Sequence, residues 1–269
     1  QGMAARIVIP SYSLKVGGGG ANLAISGTLA IEVSTMNEPV NETFVIDNEG
    51  TTTQVSMPGG PFFRLTGFLS IEIAFGDSGI STPFSLSGDF TFEQITLADP
   101  DGPTGPMLAP KLIRVGAANV NVKVLGIGLE KGQGGFIFAP DGIAGVMRVS
   151  VKVGGGDPGI PTLGGDILIE INTTGKAVNQ SISVGSTNIA IKFTALEGNV
   201  VRFAILNANI SLPPFFELSG DFTFQSEGDV TLYGARNVEI FLGYVPGGGS
   251  FKDANGVVKT GAVGLLVRN

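Results

Sequence analysis

The sequence predicts an all-β fold of tandem antiparallel sandwich-like units, with a β-solenoid or β-roll as the alternative arrangement. Three observations carry this expectation: a long motif that recurs, apolar and polar residues that alternate with the two-residue period of a strand, and turn-forming residues between the alternating runs. No stretch combines helical spacing with helix caps.

The repeat is read first, because it sets the organisation. Phe84-Ser-Leu-Ser-Gly-Asp-Phe-Thr-Phe92 returns as Phe216-Glu-Leu-Ser-Gly-Asp-Phe-Thr-Phe224. Gly27-Thr-Leu-Ala-Ile-Glu-Val33 matches Gly165-Asp-Ile-Leu-Ile-Glu-Ile171, and Pro39-Val-Asn41 matches Ala177-Val-Asn179. Lys15-Val-Gly-Gly-Gly19 matches Lys152-Val-Gly-Gly-Gly156, and Arg64 falls on Arg202. A further set runs later in each copy: Gly116-Ala-Ala-Asn-Val120 reappears as Gly234-Ala-Arg-Asn-Val238, and Asp141-Gly142 corresponds to Asn255-Gly256.

These matches divide the chain into residues 1–106, the later part of a unit; residues 107–228, one complete unit; and residues 229–269, the first part of a further unit. The boundary is a linker over residues 94–110, where Asp99-Pro-Asp-Gly-Pro-Thr-Gly-Pro106 has the Pro and Gly content of a loop.

Within the shared segments the alternation is strict. Leu86, Gly88, Phe90 and Phe92 share one face while Ser87, Asp89, Thr91 and Glu93 share the other, and Leu218, Gly220, Phe222 and Phe224 repeat the pattern. Leu29, Ile31 and Val33, then Met147, Val149, Val151 and Val153, extend it. A hydrophobic content of 43% over 269 residues is enough for a core without covalent staples.

Composition also narrows the chemistry. The chain has no Cys, His or Trp, which removes thiol nucleophiles, Cys or His metal ligands and every imidazole-dependent triad. Only 14% of residues are charged and they do not cluster, so the sequence is not read as an enzyme. A formal net charge of −7 argues against a nucleic-acid partner, which needs clustered Lys and Arg. No apolar run reaches the length of a membrane helix, and membrane insertion is not expected.

The remaining candidate sites are few. Asp99, Asp101, Asp253 and Asn255 have the D-x-[DN]-G opening of a calcium loop, but lack its downstream Glu and are read as β-turns ahead of calcium ligands. No other cofactor is expected. Asn-x-Ser/Thr sequons begin at Asn41, Asn172, Asn179 and Asn209, the first and third at one repeat position. Glu32 and Glu170, Arg64 and Arg202, Asp89 and Asp221 are polar residues shared by the copies and are assigned to cross-strand pairing. Gly17 to Gly20, Gly154 to Gly156 and Gly247 to Gly249 lack the strand-to-helix context of a phosphate loop and read as turns.

A chain that starts partway through one unit and ends partway through another has sheet edges at both ends. Open edges pair with other chains. Residues 229–269, with an assembly strand at Val263, Leu265 and Val267, are expected to be completed by residues 5–106 of the next copy. The partner is therefore the chain itself, joined head to tail into a filament, sheath or surface layer. The alternative is a segment of a giant adhesin or carbohydrate-binding surface protein.

The Leu-Ser-Gly-Asp-Phe-Thr-Phe element followed by Gly-Ala-x-Asn-Val resembles the tandem β repeats of large secreted bacterial surface and matrix proteins. The resemblance covers nearly all of the chain. It implies an extracellular structural role at the cell surface and carries no catalytic residues across.

Overall fold

A computed structural model describes residues 2–18, 21–75, 84–97, 110–124, 127–154, 161–227 and 229–269. The strands are β1 (Ala4–Gly18), β2 (Ala21–Ser34), β3 (Val40–Val45), β4 (Thr52–Met57), β5 (Phe62–Phe75), β6 (Phe84–Thr96), β7 (Lys111–Val124) and β8 (Ile127–Ala139). They continue with β9 (Gly142–Val153), β10 (Thr162–Asn172), β11 (Val178–Val184), β12 (Thr187–Phe193), β13 (Val200–Leu212), β14 (Phe216–Glu227), β15 (Val230–Tyr244) and β16 (Val263–Arg268). The only helical turn among the described residues is a 3₁₀ turn at Ala195–Glu197.

The fold is all-β and every pairing is antiparallel. Twelve strands form one open sheet in the order β1-β2-β5-β6-β7-β8-β9-β10-β13-β14-β15-β16, while β3-β4 and β11-β12 are separate two-stranded hairpins. The sandwich-like arrangement is not supported, because chain neighbours pair beside one another in a single meander. The parallel stacking of a solenoid is likewise not seen among the described residues. Spacing between turn signals gives strand number, but not whether the next strand returns to the same sheet. The two hairpins leave the meander six sheet positions apart, one after β2 and the other after β10.

Pairing sorts the side chains into two unlike faces. One row, Ile9, Leu29, Gly67, Phe90, Ala117, Gly134, Met147, Ile169, Phe203, Phe224 and Tyr233, runs from β1 to β15 without a polar residue. Glycines in these rows make room for rings: a Cβ on Gly145 would lie 2.3 Å from Phe136, its cross-strand neighbour. Ile7, Ile9, Leu14, Phe63, Phe203 and Tyr233 on this face remain exposed.

The other face carries the charged residues, and its largest apolar patch lies beneath β11-β12. There Ala118, Ile137 and Ala144 of the sheet pack with Ile182, Val184, Ile189, Ile191 and Phe193 of the hairpin in a buried core. This explains why Gly135-Phe-Ile-Phe138 breaks the alternation: that stretch of β8 is covered on the hairpin side too. A second small core, Phe241, Val245 and Phe251, lies on the same side, with Phe241 and Phe251 stacked at 4.6 Å.

The two repeated motifs are partners across adjacent strands. Asn119 and Asn237, the Asn of Gly-Ala-x-Asn-Val, both have φ 54° and sit at register shifts. Each side-chain amide donates to the Asp of Leu-Ser-Gly-Asp, Asn119 to Asp89 at 2.7 Å and Asn237 to Asp221 at 3.3 Å. The bulge needs a residue that tolerates the left-handed region, and Asn does so while locking it to the neighbouring strand. Gly88 and Gly220 complete the motif, since a Cβ there would press on Val120 or Val238 at 3.0–3.2 Å.

Replacing Asn237 by Val puts a β-branched residue at positive φ and removes the amide. The expected cost is about 1–3 kcal/mol, whereas Asn237→Gly, which keeps the backbone, costs distinctly less. Urea unfolding followed by circular dichroism distinguishes the two.

Candidate assembly interface

The sheet has two open edges. At one end β1 pairs only with β2, so the outer side of a fifteen-residue strand has no partner among the described residues. At the other end β16 pairs with β15 only from Glu239 to Tyr244, and Val230–Val238 of β15 has no strand on that side among the described residues. The second edge is therefore stepped. With twelve alternating strands, β1 and β16 run in opposite directions, as needed for an antiparallel joint.

Val263, Leu265 and Val267 lie on β16, all on the apolar face and all exposed, while Leu266 turns inward against the Phe241–Phe251 core. The chain contains its own joint between corresponding strands: β8 pairs with β9 from Ile127↔Val153 to Ala139↔Gly142. Short links hold the start of β1 and the start of β9 to the base of the hairpin that follows. Met3 N–H donates to Thr35 Oγ1 at 2.8 Å, and Thr35 N–H to the Met3 carbonyl at 2.8 Å. Ile143 and Thr173 repeat both bonds at 3.0 and 2.8 Å.

A ladder of alternating charge crosses the polar face. Arg6, Glu32, Arg64, Glu93 and Arg114 are successive cross-strand partners, linked at 3.3 Å, 3.1 Å, 2.5 Å and 3.3 Å, and Arg114 reaches Gln180 of β11 at 2.8 Å. It lines a groove of about 480 Å³ beneath Ser181, Ile182 and Ser183. In the later copy Arg202 pairs with Glu170, with Glu197 at 3.0 Å and with Gln225 at 2.9 Å. Of the polar residues shared by the copies, Glu32, Glu170, Arg64 and Arg202 belong to these ladders, whereas Asp89 and Asp221 bond the bulge asparagines. Glu93 and Arg114 went unnoticed as members, although one charge per successive strand was the available signal.

Asp99 and Asp101 lie outside the described residues. Asp253 Oδ1 accepts the N–H groups of Asn255 and Val257, both at 2.9 Å, and Gly256 follows at φ 77°. Among the described residues, no three acidic side chains come together as a metal group. Of the sequons, Asn41, Asn179 and Asn209 are exposed. Asn172 is fully buried: its amide donates to the carbonyls of Lys176 and Glu197, and its oxygen accepts from Thr174. Among the described residues, no helix is long and apolar enough to cross a membrane.

Comparisons with protein families, with curated proteins and with solved structures give no match to this chain.

The Thr194 backbone N–H, the Arg202 guanidinium and the Thr194 hydroxyl together lower the Glu197 carboxyl to about 2. Its contribution to stability is complete above its ordinary value of 4.5 and is lost as pH falls from there through 2. Glu197→Gln is accordingly expected to lower stability at pH 7 and to flatten the pH dependence of stability between about 4.5 and 2, read from urea midpoints at stepped pH.

Proposed function

We propose that the chain is a non-catalytic, extracellular structural protein that assembles head to tail by strand addition, the β16 edge of one copy against the β1 edge of the next. The observation that carries this reading is the pair of open, oppositely directed edges, with the β8-β9 joint as an internal pattern for the contact. The contact is heterologous, so it propagates unless its rotation closes a ring. On this reading the units are those of the sequence repeat, with residues 229–269 completed by the next copy. The Val230–Val238 edge of β15 stays unpaired in the joint, which leaves backbone groups there without a strand partner.

The apolar face also has to be covered. We place the sandwich here, between sheets of neighbouring filaments stacked apolar face to apolar face at the usual separation of about 10 Å. The ionisable side chains support a structural role, because the conspicuous carboxylates and guanidinia are spent on ladders, bulges and turns. Secretion and surface location follow from the resemblance to bacterial surface repeats.

Negative-stain microscopy of the purified chain at rising concentration should show filaments or sheets. Removing residues 1–18 leaves β2 as the edge, parallel to β16 of a neighbour, and should abolish them. A chain that stays monomeric at high concentration, or a truncated chain that polymerises equally well, rejects the reading.

The uninterrupted apolar face favours a second reading, in which lipid acyl chains cover it. Strands of 11–15 residues with one apolar and one polar face have the pattern of strands that meet a bilayer. Phosphatidylcholine vesicles separate the two: co-flotation lost on Ile169→Asp supports lipid cover, and absence of co-flotation with retained filaments supports stacked sheets.

A further inference from the structure

We propose that the β3-β4 hairpin of one copy docks on the polar face of β14 and β15 of the preceding copy, whose β16 edge its β1 joins, taking there the place that β11-β12 takes over β6 and β7. This names a second contact in the head-to-tail joint and rests on that reading.

The two hairpins are counterparts. Each leaves the meander after corresponding strands, is anchored by the same Met3–Thr35 or Ile143–Thr173 bonds, and closes with a matching pair, Val40↔Met57 or Val178↔Phe193. That register sets Phe44 against Ile182 and Ile46 against Val184. Their burial is opposite: Ile182 and Val184 are 3% and 0% exposed, while Phe44 and Ile46 are 50% and 62% exposed. The β11-β12 hairpin lies back over the strands that precede it. Only β1 and β2 precede β3-β4 among the described strands, and the apolar side of the hairpin stays exposed within the copy.

The receiving surface exists, empty, at the other end of the chain. Gly116 must be glycine because a Cβ there would meet Val184 at 2.6 Å and Ile182 at 2.9 Å, both from the hairpin above. Gly234 holds the same place in Gly-Ala-x-Asn-Val, yet a Cβ on it would meet only the Thr223 methyl. That methyl, at 2.8 Å from such a Cβ, belongs to its cross-strand neighbour in the sheet, and no hairpin residue lies above Gly234 among the described residues of the copy. Around it, Arg202, Asp221, Thr223 and Arg236 line an open cleft of about 520 Å³, the counterpart of the groove that β11-β12 roofs.

One substitution distinguishes the surfaces. Arg236 faces Asp221 where Ala118 faces Asp89, and Ala118 is buried beneath β11-β12. A docked β3-β4 therefore has to turn the Arg236 guanidinium aside. The tip of that hairpin carries Asp47 and Glu49, in place of Gly185-Ser186, and supplies carboxylates to receive it.

The chain has no cysteine, so an engineered pair reports the contact directly. The variant carrying Phe44→Cys and Gly234→Cys is oxidised and run on a non-reducing gel, beside one carrying Leu196→Cys and Gly234→Cys. Disulfide-linked dimers and longer multimers are expected from the first and not from the second. In parallel, Phe44→Asp, checked for a native circular dichroism spectrum, should raise the concentration for half-association at least tenfold by sedimentation velocity. If the native chain associates, but no specific ladder forms and Phe44→Asp leaves the midpoint unchanged, hairpin docking is wrong and edge pairing stands. If the native chain does not associate at all, both fall.

Discussion

Backbone pairing between chain neighbours is the constraint on which the rest of this structure depends. Once the twelve strands of the sheet line up as an antiparallel meander, the pleat assigns each of their residues to a face, and the strict alternation in the sequence becomes two continuous surfaces. A slip of one residue would carry a strand's Ile, Val and Phe to the charged side. The Asp89–Asn119 and Asp221–Asn237 bulges fix the register where the copies are most alike. The recurring motif is thus a device for register, and its polar residues are consumed in that role.

This division of labour also accounts for the hairpins. A single sheet with a polar face has no three-dimensional core, and the chain makes one locally by folding β11-β12 onto a patch of Gly, Ala and Ile at the centre of that face. The packed volume is modest for the length of the chain. Most apolar side chains sit instead on the opposite, uncovered face, far more than the scattered apolar exposure common on soluble monomers. A surface of that size is energetically unfinished, and it is the strongest physical reason to look for the molecule's role in contacts beyond a single copy.

Strand identity, antiparallel class and face assignment were legible because they depend on local period and turn chemistry. Leu86, Phe90 and Phe92 share a face as the alternation requires, and Glu32 meets Arg64 across a strand pair. The arrangement of strands was not legible, since a turn such as Asp141-Gly142 specifies a hairpin without saying whether a later strand stacks or continues. The buried Asn172 shows the same limit: its sequon reads like that of Asn179, and only the fold sends its amide to two carbonyls. The correspondence of the two hairpins was half visible, because aligning Asn41 with Asn179 sets Phe44 beside Ile182, but their opposite burial cannot be read from alignment.

The six-position spacing of the hairpins has a consequence for shape. Neighbouring strands lie about 4.8 Å apart and turn by about 20–25° relative to one another. Six of them advance the sheet by about 29 Å and rotate it by roughly 120–150°. In an array built through the proposed joint, hairpins on successive units therefore do not form a single row. They wind around its axis like the treads of a spiral stair, and whatever touches them meets the array from every side.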